Sequence, residues 1–108
     1  MNAPGASHAA LTPADIQAVS PAIARYTRVE ITERLWHRPG LSFHDRALVT
    51  CAALIARNQT IGLPNYVNKA HDGGVTQSEL SELITHLAFY CGWANGFDAI
   101  AVVKDIFA

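Results

Sequence analysis

Between Ala47 and Ala56 the chain reads ALVTCAALIA, ten residues of which only Thr50 is polar. No Gly or Pro interrupts the run, and a helix that is apolar all round has no solvent face and is buried on every side. In a chain of 108 residues such a helix is expected at the centre of a bundle or of an assembly. Composition points the same way. Hydrophobic residues make up 50% of the chain and charged residues 16%, against roughly 25% charged in an ordinary soluble protein. A lone domain of about this size buries only some two-thirds of its unfolded surface. The surplus apolar surface is therefore expected to meet another copy of the chain in a homo-oligomer.

Charge and patterning exclude several classes. A net charge of −1, with eight Lys and Arg scattered along the chain, gives nucleic acid no basic footprint. No apolar run approaches the roughly 20 residues that span a bilayer. The opening MNAPGASHAALTPAD lacks the basic start and continuous apolar stretch of a signal peptide. Residues 1–12 are expected to form a short flexible tail, residues 13–108 a single domain, and the protein is expected to be cytoplasmic. Cys51 and Cys91 lie 40 positions apart among apolar neighbours, where buried free thiols are the simplest reading.

The periodicity is helical throughout and no stretch alternates with period two, so the fold class is all-α, with about six helices. Thr12-Pro13 offers an N-cap followed by Pro at the first helical position. Pro21 restarts or kinks a helix running to about Trp36, and Arg38-Pro39-Gly40 breaks it. Ser42 with Asp45 resembles a capping box that opens a third helix, ending near Asn58. A short helix covers Pro64–His71. Thr76 with Glu79 repeats the capping signature and starts a helix reaching about Trp93. Asn95-Gly96 is expected to separate off a last helix over Phe97–Phe107.

The helix after Thr76 carries two faces. Leu80, Leu83, Ile84, Leu87, Ala88 and Cys91 follow i, i+3, i+4, i+7 spacing and form a core stripe. Glu79, Glu82, His86, Phe89, Tyr90 and Trp93 lie on the other. An imidazole can give or take a proton at neutral pH, and Glu82, four residues before His86, is within helical reach to orient it. The plainer alternative is a histidine packed in a subunit interface and satisfied by Glu82. Glu33, at the end of the second helix, reads on sequence grounds as a solvated helix charge. Arg38 sits on a turn where a cation can receive an anion, and Arg46 at a helix start can pair with a carboxylate elsewhere. His8, His37, His44, His71 and His86 show no metal-ligand spacing, and no glycine-rich loop follows a strand. Neither a metal nor a cofactor is expected.

The run Leu35-Trp36-His37-Arg38-Pro39-Gly40-Leu41-Ser42, then Asp45-Arg46 and Leu48-Val49-Thr50 with Ala52-Ala53-Leu54-Ile55-Ala56, resembles the carboxymuconolactone decarboxylase family. So do Gly74-Val75-Thr76, Glu82-x-Ile84-x-His86-Leu87-Ala88-Phe89-Tyr90 and Gly92-Trp93, with Pro21-Ala22-Ile23 and Tyr26-Thr27 upstream. The resemblance covers roughly residues 20–107. It implies the helical fold of the alkylhydroperoxidase-D proteins, assembly as hexamers or trimers, and active sites near subunit contacts. It also implies cofactor-free decarboxylation of 4-carboxymuconolactone in aromatic catabolism. The chain departs from the family's pattern twice. Residues 57–64 hold none of the paired cysteines of the peroxidase branch, and Cys51 and Cys91 cannot replace a pair that must form a local disulfide. Tyr66 stands where relatives usually place a His, and a phenol is a poor base at neutral pH.

The expected activity is decarboxylation, or related proton transfer, on a small carboxylated lactone or similar organic anion. His86 is expected to donate the proton, with Glu33 or Glu82 orienting it. Arg38 or Arg46 is expected to hold the substrate anion, with Trp36, Tyr66 and Tyr90 as further binding residues. Two alternatives stand beside this one: a catalytically idle oligomeric module that binds a small acid, and a peroxidase of the wider family.

Overall fold

The computed structural model describes residues 11–106. Among them are six α-helices and no strand, the all-α architecture that the periodicity predicts. The expected N-terminal tail lies outside the described residues as far as Ala10, as does Phe107 at the other end. The chain divides into two units, one ending at Gly40 and the other beginning at Leu41.

In the first unit, α1 (Pro13–Val19) opens on a complete capping box, with Thr12 and Asp15 exchanging side-chain and backbone hydrogen bonds at 3.1 Å each. Ser20 then serves two helices. Its backbone N–H closes α1 on the Ile16 carbonyl, and its hydroxyl accepts from the Ile23 N–H to open α2 (Pro21–Tyr26). The sequence predicts one helix from Pro21 to about Trp36. The path is continuous, but it widens into π-helical turns over Thr27–Arg34 and tightens into a 3₁₀ turn over Leu35–His37. Long π-helical stretches are rare. Thr27, Val29, Ile31 and Thr32 are all β-branched, and such side chains crowd an α-helical backbone. Trp36 is the buried residue of this unit among those described.

The second unit holds α3 (Phe43–Ala56), α4 (Leu63–Asp72), α5 (Gln77–Cys91) and α6 (Trp93–Val103). Each contributes one narrow row to the core: Ala47, Cys51 and Ile55; Leu63, Val67 and Ala70; Leu80 and Ile84; Gly96, Ala99 and Val103. Val75 fills the turn between α4 and α5. Burying one of the larger aliphatic side chains stabilises the fold by about 1.5–3 kcal/mol.

Three expectations are corrected here. Helix α3 does have a solvent face within one chain: Val49 is 59% exposed, and Ala53 and Ala56 are exposed with it. Its neighbours cover a single row of side chains at i, i+4, i+8, and that row satisfies α3 without enclosing it. The capping box at Ser42 is half formed. The Ser42 hydroxyl accepts from the Asp45 N–H at 3.0 Å, but the Asp45 carboxylate turns to His44 instead of returning to Ser42.

The break between the last two helices falls at Gly92 rather than at Asn95-Gly96. Gly92 has φ +105°, a conformation glycine adopts without strain. Asn95 and Gly96 lie inside α6, and each has a task there. The Asn95 amide donates to the open carbonyls of Ala56 and Cys91, at 3.3 and 3.2 Å, the last residues of α3 and α5. Gly96 lets α6 approach α5, since a Cβ there would come within 3.2 Å of the Ala88 methyl.

Candidate active site

Helix α5 is anchored at its start by a second complete capping box. The Thr76 hydroxyl accepts from the Glu79 N–H at 3.1 Å, and Glu79 Oε1 accepts from the Thr76 N–H at 2.9 Å. From that anchor the regular helix carries Glu79, Glu82 and His86 along one face, at spacings of three and four. Opposite them, α3 presents Leu48, Val49 and Ala52. Leu83 and Leu87 complete an open pocket of about 550 Å³, apolar on the α3 side and acid–base on the α5 side.

Glu82 and His86 thus line one pocket, as their helical spacing predicts. Tyr90 joins them one turn on, with its ring centroid 4.9 Å from that of His86 at an interplanar angle of 31°. The aromatic face continues through Phe89, which meets Trp93 edge-on at 5.3 Å. Phe89 and Tyr90 are 74% and 78% exposed, so none of the described residues covers this face.

Two further predicted site residues of this unit do not join them. Arg46, half-buried on α3, and Tyr66, half-buried on α4, line no part of the pocket. The Lys69 ammonium stands 5.8 Å from the centroid of the Tyr66 ring, and burial pulls its pKa down. Glu33, Trp36 and Arg38 belong to the first unit. There Glu33 pairs with Arg28 at 3.5 Å, Trp36 is buried, and exposed Arg38 ends the 3₁₀ turn.

Sequence reasoning missed one residue at this site. His44, at the start of α3, faces a carboxylate with each ring nitrogen: Nδ1 lies 2.9 Å from Asp45 Oδ1, and Nε2 2.9 Å from Glu79 Oε2. The hydrogen bond to Asp45 first, and that to Glu79 next, raise its pKa. In return Glu79 is held below the usual carboxylate range, chiefly by the Thr76 backbone N–H and then by His44. The contact with Asp45 can be read from adjacency. The contact with Glu79, 35 positions away, required the packing of α3 on α5. The three groups do not converge on a common point, and no metal-binding cluster exists among the described residues.

The thiols offer less chemistry. Cys51 is fully buried, and that burial pushes its pKa up to about 11. Cys91 is half-buried at the end of α5. A smaller groove of about 250 Å³, edged by Ser81, Thr85 and Lys104, carries neither imidazole nor carboxylate. No helix among the described residues is long and apolar enough to cross a membrane.

Six helices with an imidazole and a carboxylate set in an aliphatic pocket define a helical protein equipped for acid–base chemistry. The chain belongs to the carboxymuconolactone decarboxylase family, whose model matches residues 21–105. It is 37% identical over 73 residues to the 4-carboxymuconolactone decarboxylase of Acinetobacter baylyi, a match covering 68% of this chain and 54% of that protein. It is also 33% identical over 70 residues to the nitrosuccinic acid decarboxylase of Metarhizium robertsii, covering 65% of this chain and 49% of the relative. The chain therefore spans about half the length of the curated relatives it matches.

Proposed function

We propose that the protein is a cofactor-free decarboxylase of a small carboxylated organic anion, with a lactone of the 4-carboxymuconolactone type as the leading substrate. The observation that carries this reading is the shared pocket of Glu82 and His86, walled by Leu48, Val49 and Ala52. Family membership and two relatives named as decarboxylases of carboxylated small molecules support it.

In this mechanism the bond between the substrate carboxylate and the ring breaks and CO₂ leaves. The electron pair stays behind, delocalised into the conjugated lactone. The His86 imidazolium delivers a proton to carbon and is reprotonated from water, while Glu82 orients the ring. Closure of the open pocket by a second copy of the chain would expel water from the developing charge and strengthen the electrostatic interactions inside it. Tyr90, whose ring centroid lies 4.9 Å from that of His86, is the further candidate to bind the substrate.

Copies of this chain cover the aromatic face beside the pocket. Phe89, Tyr90, Trp93 and Phe97, each more than half exposed, are the kind of apolar surface that marks an interface. A homo-oligomer closed over that face would complete the site, and size-exclusion chromatography with light scattering reads its order. The decisive test follows turnover of 4-carboxymuconolactone by CO₂ release in wild type and in His86→Gln. Turnover by the wild type that His86→Gln retains in full would remove His86 from the mechanism.

The Tyr66→His variant addresses the idle binding module. An enzyme keeps or gains activity from it, whereas a binding module stays inactive. Thiol peroxidase chemistry draws no support from a buried Cys51 whose thiol is held protonated far above neutral pH.

A further inference from the structure

Glu79 and Glu82 stand one helical turn apart on the same pocket wall, an arrangement that opposes the entry of an anion unless one charge is neutralised. The structure supplies the means. A neutral imidazole has one N–H and one lone pair, and only the cationic ring donates from both nitrogens. His44 faces a carboxylate oxygen with each nitrogen at 2.9 Å, so the surroundings fit the cation and leave the neutral ring mismatched at one end. Glu79 is occupied on both oxygens, one by His44 and one by the Thr76 backbone N–H. Glu82 makes no hydrogen bond or ion pair among the described residues, which leaves it to serve His86.

We propose that His44, as an imidazolium, is a positioning residue for this pocket: it pins and neutralises Glu79, so that the wall presents a single free carboxylate, Glu82, to His86 and admits an anionic substrate. The proposal rests on the decarboxylase reading for the identity of that anion. The charged groups that face His44 are Asp45 on its own helix and Glu79 on α5. Neither Lys69, His71 and Asp72 on α4 nor Asp98 on α6 shifts it. The raised pKa of His44 agrees with the geometry. Above that pKa Glu79 or Asp45 loses its donor, the pin loosens, and both Glu79 and Glu82 repel the substrate.

Two measurements test this. The first follows the His44 ring by imidazole nitrogen NMR as pH rises, assigned with His44→Gln. His44 is expected to titrate above 6.5 in the wild type and to fall back toward it in Glu79→Gln. A wild-type ring that titrates at or below 6.5 overturns the proposal whatever the activity. The second measures KM for 4-carboxymuconolactone across pH in wild type, His44→Gln and His44→Arg. Wild-type KM is expected to rise about two- to fivefold through the His44 titration, the scale of one exposed ion pair. His44→Gln should show the raised KM at every pH, and His44→Arg, a permanent cation, the low KM at every pH. The change should fall on KM rather than kcat. A wild-type KM independent of pH, or equal KM values in wild type and His44→Gln, also overturns it. A wild type that never turns the lactone over removes the decarboxylase reading alone. Affinity for the same lactone, read from chemical-shift changes in the same three proteins, then replaces KM.

Discussion

His86 lines the pocket, His44 reaches it only through Glu79, and the two have opposite surroundings. His44 is bound at both nitrogens, by carboxylates from two helices. Among the described residues His86 makes no hydrogen bond; its ring pairs with that of Tyr90 and it shares the pocket with the aliphatic wall of α3. An imidazole tied at both ends holds structure and carries charge. One left without a fixed hydrogen-bond partner can hand its proton to something else. The pairing of a satisfied histidine with an uncommitted one, about 550 Å³ of pocket between helices, separates positioning from chemistry more sharply than either residue does alone.

Replacing His86 breaks the comparison hardest. His86→Gln should lower turnover of a carboxylated lactone about 10²- to 10⁴-fold, the usual contribution of general acid catalysis, and leave the melting temperature near wild type because the side chain is exposed. Next in size is the core of the unit that carries both histidines. Leu63→Ala removes a fully buried side chain and should cost about 2–5 kcal/mol in urea unfolding, with activity per folded molecule retained. Asn95→Ala unties the ends of α3 and α5 and should cost about 1–2 kcal/mol, again read by urea unfolding.

The smallest effect is the pH dependence of stability. A group whose pKa is raised on folding adds stability below its unfolded value and loses it as pH climbs through the folded value. His44 behaves in this way from 6.5 upward. Glu79, lowered from 4.5, loses its contribution as pH falls below that value. The melting-temperature gap between wild type and His44→Gln should therefore be widest between about 4.5 and 6.5 and shrink on either side. A gap that widens toward high pH would mean that His44 is neutral in the native state.

The helices were legible because their boundaries are written locally. Thr12, Ser42 and Thr76 each cap the helix they announce. Glu82 and His86 were legible for the same reason, since helical spacing alone puts them on one face. What sequence could not reveal depends on chain segments far apart. The reach of His44 to Glu79 is one case. Asn95-Gly96 is another: two residues that usually signal a turn lie inside a helix, because the Asn95 amide satisfies the distant Ala56 carbonyl as well as that of Cys91, and Gly96 makes room for Ala88. Helix α3 illustrates the reverse. Its apolar run does mark a central element, but small side chains such as Ala47 need only one covered row, so the rest of the helix remains at the surface.

The two links between α3 and α5 have a mechanical consequence. His44 joins their first turns and Asn95 their last, so the helices run in the same direction and are braced at both ends with the pocket between the braces. The spacing of α3 and α5 is therefore tied by hydrogen bonds at both ends of the pocket.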